Sequence, residues 1–390
     1  MKETKRIAFA TGSRADYGIA RNYLRLLDSD ENIELSILVT GALLSREFGH
    51  QVDLIYRDDF HVAVELEIDV NPTSNAGVLH SMALALDKFG EYFSTNLYDL
   101  VIILGDRYEI FSAATAAAMN RIPILHIHGG EATFGNYDEF IRHSITKMSL
   151  FHFTATEEYR NRVIQLGEAP ERVFNLGALG AENCLFIDEN AVSKELLSFQ
   201  NSQYFVVLFH PETLTDISIE YQIQQVLSAI SYFKDRFKYV FLGSNADTHS
   251  DIIRNRVKEF VNLNCNCMYR ENLSTNDYHF LLMHSLGLIG NSSSGLIEAP
   301  SLHTYTINIG YRQDGRVRGN SVYDVPWESH EIQNAIQLLI DRPKEKAVNP
   351  YYQKDTAMNY YNTTKRILDM LKKEVDYPKK FWDFDRQNGT

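Results

Sequence analysis

The chain has 390 residues, enough for two domains that each bury a core of their own. Its composition, 44% apolar and 23% charged residues, is that of an ordinary globular protein. The formal net charge of −13 argues against a nucleic-acid backbone or an anionic membrane as a partner, so an anionic ligand would need a local basic pocket.

The cysteine content and the N-terminal sequence indicate the cellular compartment in which the protein is expected. The three cysteines, Cys184, Cys265 and Cys267, fit a reducing cytosol better than a disulfide framework, and the C-x-C pair lacks zinc-finger spacing. The apolar run after the basic start ends at Ser13, which is too short for a signal-peptide core. No stretch approaches the roughly 18 apolar residues of a membrane span. We therefore expect a cytoplasmic protein without a metal site.

Strand and helix patterns alternate through the first half of the chain. Strands are predicted over residues 6–11, 33–39, 60–68, 100–104, 122–127, 151–155 and 173–177. Helices are predicted over residues 15–27, 74–96, 109–120 and 157–166, with another beginning at Asp138. This alternation is typical of a doubly wound parallel sheet.

The alternation restarts after a polar interval, residues 188–203, which predicts an inter-domain linker. Strands are predicted over residues 204–209, 239–242, 286–289 and 304–309, and helices over 219–233, 251–261 and 275–284. We therefore predict two facing Rossmann-like domains, residues 1–187 and 204–355, with a ligand in the cleft between them. The remaining residues, 356–390, contain a predicted helix over 356–375 that could pack back on the first domain.

Polar side chains follow two apolar strands in the stretch 100–147, around which the site is predicted. Asp106 and Arg107 follow the first of these strands, and His128 and Glu131 follow the second. Ligands bind beyond the carboxyl ends of strands in an open α/β sheet, so these side chains should converge on one crevice. A carboxylate enclosed by glycines and apolar strands would have a raised pKa, which suits proton exchange near neutral pH.

Each of these charges also has a plainer interpretation. Asp106 and Arg107 could form an ion pair that only holds their loop. Asp138 could be a first-turn helix charge, kept ionised by the helix dipole and paired with Arg142 four residues on. These alternatives stay open at the level of the sequence.

Two further stretches predict anion binding. Residues 10–18 run from a strand through a glycine turn into a helix and carry Arg14, although the G-x-G-x-x-G fingerprint is absent and a plain capped helix start is the alternative. Residues 289–298 place small hydroxyls and glycines between a strand and a short helix, as in a diphosphate cradle, with Glu298 able to accept hydrogen bonds from a ribose. His210 ends the first strand of the second domain, and residues 310–319 form a loop with three arginines.

Six motifs occur together and in order: GSRADYG, LGDRYE, HIHGGE, DEFIRHSITK, FHPET and GNSSSGLIE. The set resembles the hydrolysing UDP-N-acetylglucosamine 2-epimerases, in particular the bacterial branch that feeds sialic acid capsule synthesis. The resemblance covers essentially the whole chain. It implies a glycosyltransferase-B fold and the conversion of UDP-N-acetylglucosamine and water to N-acetylmannosamine and UDP, by way of a 2-acetamidoglucal. It implies no cofactor, and we expect a homo-oligomer, either a dimer or a tetramer.

The resemblance also assigns residues by position. Asp106, Glu131 and Asp138 match or neighbour the proton-transferring carboxylates, and His210 matches a cleft histidine. The expected substrate-binding residues are Arg14, Arg107, His128, Asn291, Ser292, Ser293, Ser294, Gly295, Glu298 and Arg312. Many relatives have a catalytic Glu where this chain has His128, so either Glu131 or His128 itself takes that role.

Other functions fit parts of the pattern. The same chemistry could act on a UDP-2,4-diacetamido-trideoxyhexose, or a non-hydrolysing epimerase could keep UDP attached to the sugar. A retaining glycosyltransferase would pass the sugar to an acceptor instead of water. A nucleotide-sugar sensor would need the anion cradle but not three acids, so the carboxylates argue against it.

Overall fold

The computed structural model describes residues 4–47, 49–70, 74–134, 137–212, 215–243, 250–271, 273–341, 345–372 and 379–383. The chain divides into two compact units. The first comprises Met1–Glu131, Asp138–Leu179 and Gln353–Thr390, and the second comprises Ala132–Tyr137 and Gly180–Tyr352. Each unit holds one parallel sheet with helices, which confirms the predicted class of two Rossmann-like folds.

The strands that the structure describes are short and mostly apolar. They are β1 Lys5–Thr11, β2 Ile33–Thr40, β3 Val62–Leu66, β4 Leu100–Leu104, β5 Ile124–Ile127, β6 Phe151–Thr154, β7 Val173–Asn175, β8 Tyr204–Leu208, β9 Lys238–Leu242, β10 Cys267–Arg270, β11 Gly287–Gly290, β12 Thr306–Ile309 and β13 Val322–Val325.

Most of the helices connect successive strands, and the last two follow the final strand. They are α1 Arg14–Asp28, α2 Asp53–Arg57, α3 Asn75–Thr95, α4 Tyr108–Met119, α5 Asp138–Met148, α6 Glu157–Gln165, α7 Leu179–Asn183, α8 Lys194–Leu197, α9 Ile219–Tyr232, α10 Ser250–Asn262, α11 Thr275–His284, α12 Ser294–Ile297, α13 Ser329–Asp341 and α14 Thr356–Leu371. The predicted helix over 356–375 therefore ends at Leu371, and residues 373–375 lie outside the described residues.

Each sheet has one point where the strand order reverses. The first unit has the order β3-β2-β1-β4-β5-β6-β7, and the second has β10-β9-β8-β11-β12-β13. All neighbouring strands pair in parallel. The reversal lies between β1 and β4 in the first sheet and between β8 and β11 in the second. Ligands of open α/β sheets bind at such switch points, beyond the carboxyl ends of the strands.

The central strands are buried on both faces, as their continuous apolar sequences predict. All five residues of β4 are buried, and its neighbour β1 contributes Ile7 and Phe9 to the core of the first unit. Helix α14 completes the same core, because the Tyr360 ring packs on Phe153 and its hydroxyl donates to the Gly177 carbonyl at 2.8 Å. This helix is part of the first unit although it lies near the end of the chain.

The interval predicted as a linker is instead part of the second unit. Val192, Leu196 and Phe199 are buried in the cluster that contains Tyr204, the first residue of β8. The polar residues between them are mostly exposed, so the low apolar content of this interval reflects a surface segment with a thin buried face. In the middle of the chain, the boundary between the two units lies at Leu179 and Gly180, before this interval begins.

Two histidines lie side by side inside the first sheet. His126 on β5 is paired in register with His152 on β6, and both are fully buried. Burial lowers the pKa of His126 to about 3, against a smaller opposite effect of the Gly105 carbonyl. Burial also lowers the pKa of His152 to about 4, although the bonded carboxylate of Glu168 opposes the shift. Both imidazoles are therefore neutral in the folded protein at neutral pH.

We expect both histidine rings to remain neutral in the folded protein at pH 5, where an ordinary histidine with a pKa of about 6.5 is charged. The unfolded chain binds these protons below pH 6.5, so the stability that the neutral rings contribute is lost as the pH falls toward 4 and 3. Imidazole ¹⁵N chemical shifts followed from pH 7.5 to 5 measure this directly. Titration of either buried ring near pH 6.5 would contradict the expectation.

Candidate functional site

The first unit places candidate site residues at the ends of β1 and β4. The side chain of Ser13 caps α1 by accepting a hydrogen bond from the Asp16 amide at 3.2 Å. The carboxylate of Glu109 covers the turn so closely that a Cβ on Gly12 would lie 2.6 Å from its Oε1. Arg107 donates to the same Oε1 at 2.6 Å. A larger residue at position 12 would displace the Glu109 side chain, and the turn and the β4 loop share one edge of the sheet.

Asp106 is held by a buried guanidinium. Arg142 on α5 is 1% exposed, and its Nε donates to Asp106 Oδ2 at 2.7 Å. Its Nη1 donates to the Glu131 carbonyl at 2.9 Å and to Glu139 Oε2 at 2.8 Å. Burial alone would lower the pKa of Arg142, but the surrounding carboxylates outweigh burial and raise it. One permanent cation thus joins the ends of β4 and β5 to the first turns of α5, where Asp138 lies.

The observed contacts do not pair Asp106 with Arg107 alone, as the plainer interpretation of these two charges would have it. Asp106 binds Arg142, and Arg107 binds Glu109, so each has a partner outside the Asp106–Arg107 pair. Arg142 entered the sequence analysis only as a partner for Asp138. Its contacts with Asp106 and the Glu131 carbonyl depend on three elements meeting in space, which no local spacing shows.

His128 and Glu131 contact each other across the turn that follows β5. The His128 Nδ1 and Glu131 Oε1 atoms are 2.7 Å apart, and the two side chains are 12% and 3% exposed. The turn between them cannot accept a larger residue at position 130, because a Cβ on Gly130 would lie 2.4 Å from the Tyr159 carbonyl oxygen. The neighbouring His126 has a structural role, since its Nε2 donates to the Gly105 carbonyl at 2.9 Å and holds the β4 loop.

Asp16 is a functional candidate that the sequence analysis missed. Burial raises its pKa to about 7, while the nearby positive charge of Arg107 opposes the shift. Its Oδ2 is buried and has no hydrogen-bond partner among the residues that the structure describes. Burial also lowers the pKa of the neighbouring Arg14. An acid in the first turn of a helix beside a predicted anion-binding arginine was the available signal.

The second unit places candidate site residues at the ends of β8 and β11. The His210 amide donates to Asn291 Oδ1 at 2.7 Å, and Asn291 Nδ2 donates back to the His210 carbonyl at 2.9 Å. Gly290 has φ +150°, and a Cβ there would lie 1.8 Å from the Leu208 carbonyl oxygen. Only glycine lets the two strand ends approach this closely. The loop that follows β8 and contains His210 (the histidine loop) and residues 291–295 after β11 (the serine loop) are therefore fixed side by side.

The serine loop has the hydroxyl pattern that the sequence predicts for a cradle. The hydroxyls of Ser292 and Ser294 lie 3.2 Å apart, and Tyr278 on α11 also contacts the Ser294 hydroxyl. Ser293 and Gly295 lie on the same turn, at the start of α12. The carboxylate of Glu298 follows directly after α12 and lies 3.3 Å from His279 Nε2. The serines predicted to bind a diphosphate and the glutamate predicted to bind a ribose therefore lie on one continuous segment of the second unit.

The arginine loop is tied to both of these loops. Glu212 Oε1 accepts hydrogen bonds from the Tyr311 and Arg312 amides at 2.9 and 2.8 Å. The guanidinium of Arg312 donates to the Asn291 carbonyl at 3.2 Å, and Gln313 donates to the same oxygen at 2.8 Å. Burial raises the pKa of Glu212 to about 7, with the two amide bonds opposing it. Arg312 is thus positioned beside the serine loop by a buried acid.

The predicted site residues divide between the two units. The first unit contains Asp106, Arg107, His128, Glu131, Asp138 and Arg14. The second unit contains His210, Asn291, Ser292, Ser293, Ser294, Gly295, Glu298 and Arg312. Between Glu131 and Asp138 the chain belongs to the second unit, where the Phe134 amide donates to the Asp314 carbonyl at 3.2 Å. Of the described helices, none is long and apolar enough to cross a membrane. No grouping of three or more potential metal ligands occurs in the described ranges.

Comparison with known proteins identifies the family. The sequence profile described as UDP-N-acetylglucosamine 2-epimerase matches residues 25–372. Polysialic acid biosynthesis protein P7 of Escherichia coli is 48% identical to this chain, and the alignment covers 97% of both proteins. UDP-N,N'-diacetylbacillosamine 2-epimerase (hydrolyzing) of Legionella pneumophila is 32% identical, over 93% of this chain and 96% of the relative.

Solved structures agree on the fold. The crystal structure of UDP-GlcNAc 2-epimerase from Neisseria meningitidis bound to UDP-GlcNAc matches with a TM-score of 0.77. The match covers 95% of this chain and 100% of that one at 18% sequence identity, so it shows the fold alone. The profile match and the two sequence relatives span nearly the whole chain and confirm the resemblance in the six motifs. The chain therefore belongs to the UDP-N-acetylglucosamine 2-epimerase family.

Proposed function

We propose that the chain is a hydrolysing UDP-N-acetylglucosamine 2-epimerase, which converts UDP-N-acetylglucosamine and water to N-acetylmannosamine and UDP. The observation that carries the proposal is the group of Asp106, His128 and Glu131 around buried Arg142, at the carboxyl ends of β4 and β5. A protein that only binds a nucleotide sugar needs no such proton-transfer set. The name of the Escherichia coli relative supports a place in polysialic acid synthesis, and N-acetylmannosamine formation would be its first step.

The proposed mechanism follows from the chemistry of the sugar. The hydrogen at C2 is not acidic, so inversion at C2 without a redox cofactor needs a leaving group on the neighbouring carbon. A base removes the C2 proton, the C–H electron pair forms the C1=C2 double bond, and the C1–O pair leaves with UDP. An acid then protonates C2 from the opposite face, water adds its oxygen to C1, and a carboxylate takes the proton that the water loses. We assign these transfers to Asp106, Glu131 and Asp138, each worth about 10²–10⁴ in rate.

Departure of UDP is the second requirement. We assign the diphosphate to the amides and hydroxyls of residues 291–295, together with Arg14, Arg107 and Arg312. Glu298 would accept hydrogen bonds from the ribose, and His210 would contact the substrate beside Asn291. Preorganised donors of this kind are commonly the largest catalytic contribution, and one donor is worth about 10²–10³ in rate.

Product analysis tests the proposal. The protein is incubated with UDP-N-acetylglucosamine, and in parallel with UDP-2,4-diacetamido-trideoxyhexose, and products are followed by ¹H and ³¹P NMR. We expect free UDP and N-acetylmannosamine from the first substrate. UDP release from the diacetamido sugar alone would move the assignment to the activity named for the Legionella pneumophila relative. Formation of UDP-N-acetylmannosamine would indicate a non-hydrolysing epimerase, and binding without turnover would indicate a sensor.

Replacing Glu212 with Ala is expected to weaken UDP binding by about tenfold or more. The variant loses the carboxylate that holds the Tyr311 and Arg312 amides, and a hydrogen bond to a charged group contributes about 1.5–3 kcal/mol. Isothermal titration calorimetry gives the dissociation constant. The matched control is Glu220→Ala, which removes an exposed acid from α9 of the same unit. Equal dissociation constants for the two variants would remove Glu212 from the binding machinery.

We also propose a cytoplasmic location and a homo-oligomeric state. Cys184, Cys265 and Cys267 are free thiols in the structure, which suits a reducing compartment. Several large apolar side chains are exposed in the first unit, among them Leu79 at 64% and Phe140 at 64%. These side chains are candidates for a contact between copies of the chain, and sedimentation velocity would give the state.

A further inference from the structure

We infer that His128 is the proton-accepting group of this site and that Glu131 is a positioning residue that acts through it. The inference rests on the proposed function and deepens it, because the three carboxylates named above then have unequal roles. It replaces direct proton transfer by Glu131 with transfer by an imidazole that Glu131 orients.

The contact between the two residues fixes the proton on the imidazole. A carboxylate can only accept a hydrogen bond, so the 2.7 Å contact with Glu131 Oε1 places the ring proton on His128 Nδ1. The neutral ring then presents a lone pair at Nε2. That atom is buried and has no hydrogen-bond partner within the described part of the chain. A carboxylate on one ring nitrogen and a bare second nitrogen are the arrangement of an oriented general base.

The backbone holds His128 in this position. The residue has φ +69°, a left-handed conformation that costs free energy for any residue except glycine and that persists mainly where the surroundings enforce it. The His128 amide donates to the Phe153 carbonyl of β6 at 2.9 Å, which anchors the start of the turn. At the other side of the turn, a Cβ on Gly130 would lie 2.4 Å from the Tyr159 carbonyl oxygen, so the turn packs closely against α6. The ring is therefore presented by an anchored, closely packed turn beyond the end of β5.

The step assigned to this pair is balanced. His128 Nε2 takes the C2 proton, the C–H pair becomes the second bond of C1=C2, and the C1–O pair departs with UDP. The imidazolium that forms lies beside the Glu131 carboxylate, which stabilises it without taking the proton. The imidazolium returns its proton to solvent before the next turnover, and a different acid delivers the proton to the opposite face of C2.

Substitutions with matched geometry separate the two roles. His128→Asn keeps a side chain that tolerates positive φ and can donate to Glu131, but it has no basic nitrogen. Turnover is expected to fall by about a hundredfold or more, with UDP affinity within about twofold of wild type. His330→Asn makes the same change at an exposed histidine that also contacts an acid, and it should not alter turnover.

Glu131→Gln tests the positioning role. The amide oxygen can still accept from His128 Nδ1, but the negative charge beside the imidazolium is gone. We expect about a tenfold loss or more and a shift of the acidic limb of the kcat/KM profile to lower pH. The double variant should be no slower than His128→Asn alone within about threefold, because two residues that act as a unit are not additive.

The outcomes distinguish this inference from the proposed function. Near-wild-type turnover in His128→Asn, or additive losses in the double variant, would overturn the His128–Glu131 assignment while wild-type UDP release still supports the function. Imidazole ¹⁵N NMR of the wild-type protein gives a readout that needs no turnover. We expect the Nδ1–H tautomer at His128, and the Nε2–H tautomer would overturn the inference even if no substrate is turned over.

Discussion

Replacing Asp106 with Asn is expected to lower the turnover of UDP-N-acetylglucosamine by more than about a hundredfold. The amide has nearly the same shape, and its oxygen can still accept the hydrogen bond that Arg142 Nε makes to Asp106 Oδ2. It cannot exchange a proton, and it lacks the charge that balances the buried guanidinium. Initial rates of UDP release measure the effect, and circular dichroism verifies the fold.

Asp99→Asn is the matched control for this variant. Asp99 lies immediately before β4, at the opposite end of the strand that leads to Asp106. Its carboxylate accepts from Lys5 Nζ and from the Arg6 amide, both at 2.8 Å, so the chemical change is the same. We expect this control to keep wild-type turnover. A loss of less than tenfold in Asp106→Asn, or an equal loss in the control, would remove Asp106 from the mechanism.

Replacing Arg142 with Met is expected to cost about 3–5 kcal/mol in the free energy of unfolding. The side chain is 1% exposed and contacts two carboxylates, on Asp106 and Glu139, that are 20% and 24% exposed. Removing the cation leaves both acids and the Glu131 carbonyl without their shared donor. Breaking one side of a buried ion pair is among the most destabilising single changes. Urea denaturation followed by circular dichroism gives the shift.

Arg57→Met provides the comparison for the Arg142 variant. Arg57 is an exposed residue at the end of α2 in the same unit, and its replacement should change stability by less than about 0.5 kcal/mol. The contrast separates loss of the buried charge from the general effect of an arginine-to-methionine change. A cost below about 1 kcal/mol for Arg142→Met would mean that Asp106 and Glu139 do not depend on this cation.

The fold class was predictable because parallel strands that are buried on both faces have continuous apolar sequences. The sequence LVIIL of β4 is fully buried, and its predicted bounds are the observed ones. The strands absent from the prediction, β10 and β13, are the two edge strands of the second sheet. An edge strand is covered on fewer sides, so CMYR and VYDV mix apolar and polar residues and give no clear run.

Helix α13 was also absent from the prediction, although its signal is present in the sequence. Its buried residues are Ile332, Ala335, Ile336 and Leu339, spaced as on one face of an amphipathic helix. For residues 188–203 the prediction was wrong in the other direction, because it treated a packed segment as a linker. Its polar composition predicts a linker, but three buried side chains, Val192, Leu196 and Phe199, join it to the core of the second unit.

The sequence predicted the site residues that follow strands directly, but not the buried residues that contact them from distant parts of the chain. Strand ends locate Asp106, Glu131, His210 and the serine loop, because position after an apolar strand is a local property. The buried partners depend on tertiary contacts between elements far apart in sequence. Arg142 reaches Asp106 from α5, Glu109 covers Gly12 from α4, and Glu212 holds amides about 100 residues away. The left-handed backbone of His128 is likewise set by the turn and by β6.

The central claim is that acids and a histidine at the strand ends of the first unit invert C2, by removing its proton as UDP departs and protonating the opposite face afterwards. Turnover of UDP-N-acetylglucosamine in deuterated water, followed by NMR, tests it most directly. We expect one UDP per sugar turned over and N-acetylmannosamine that carries deuterium at C2. Retention of the original hydrogen at C2, or a product still linked to UDP, would contradict the account.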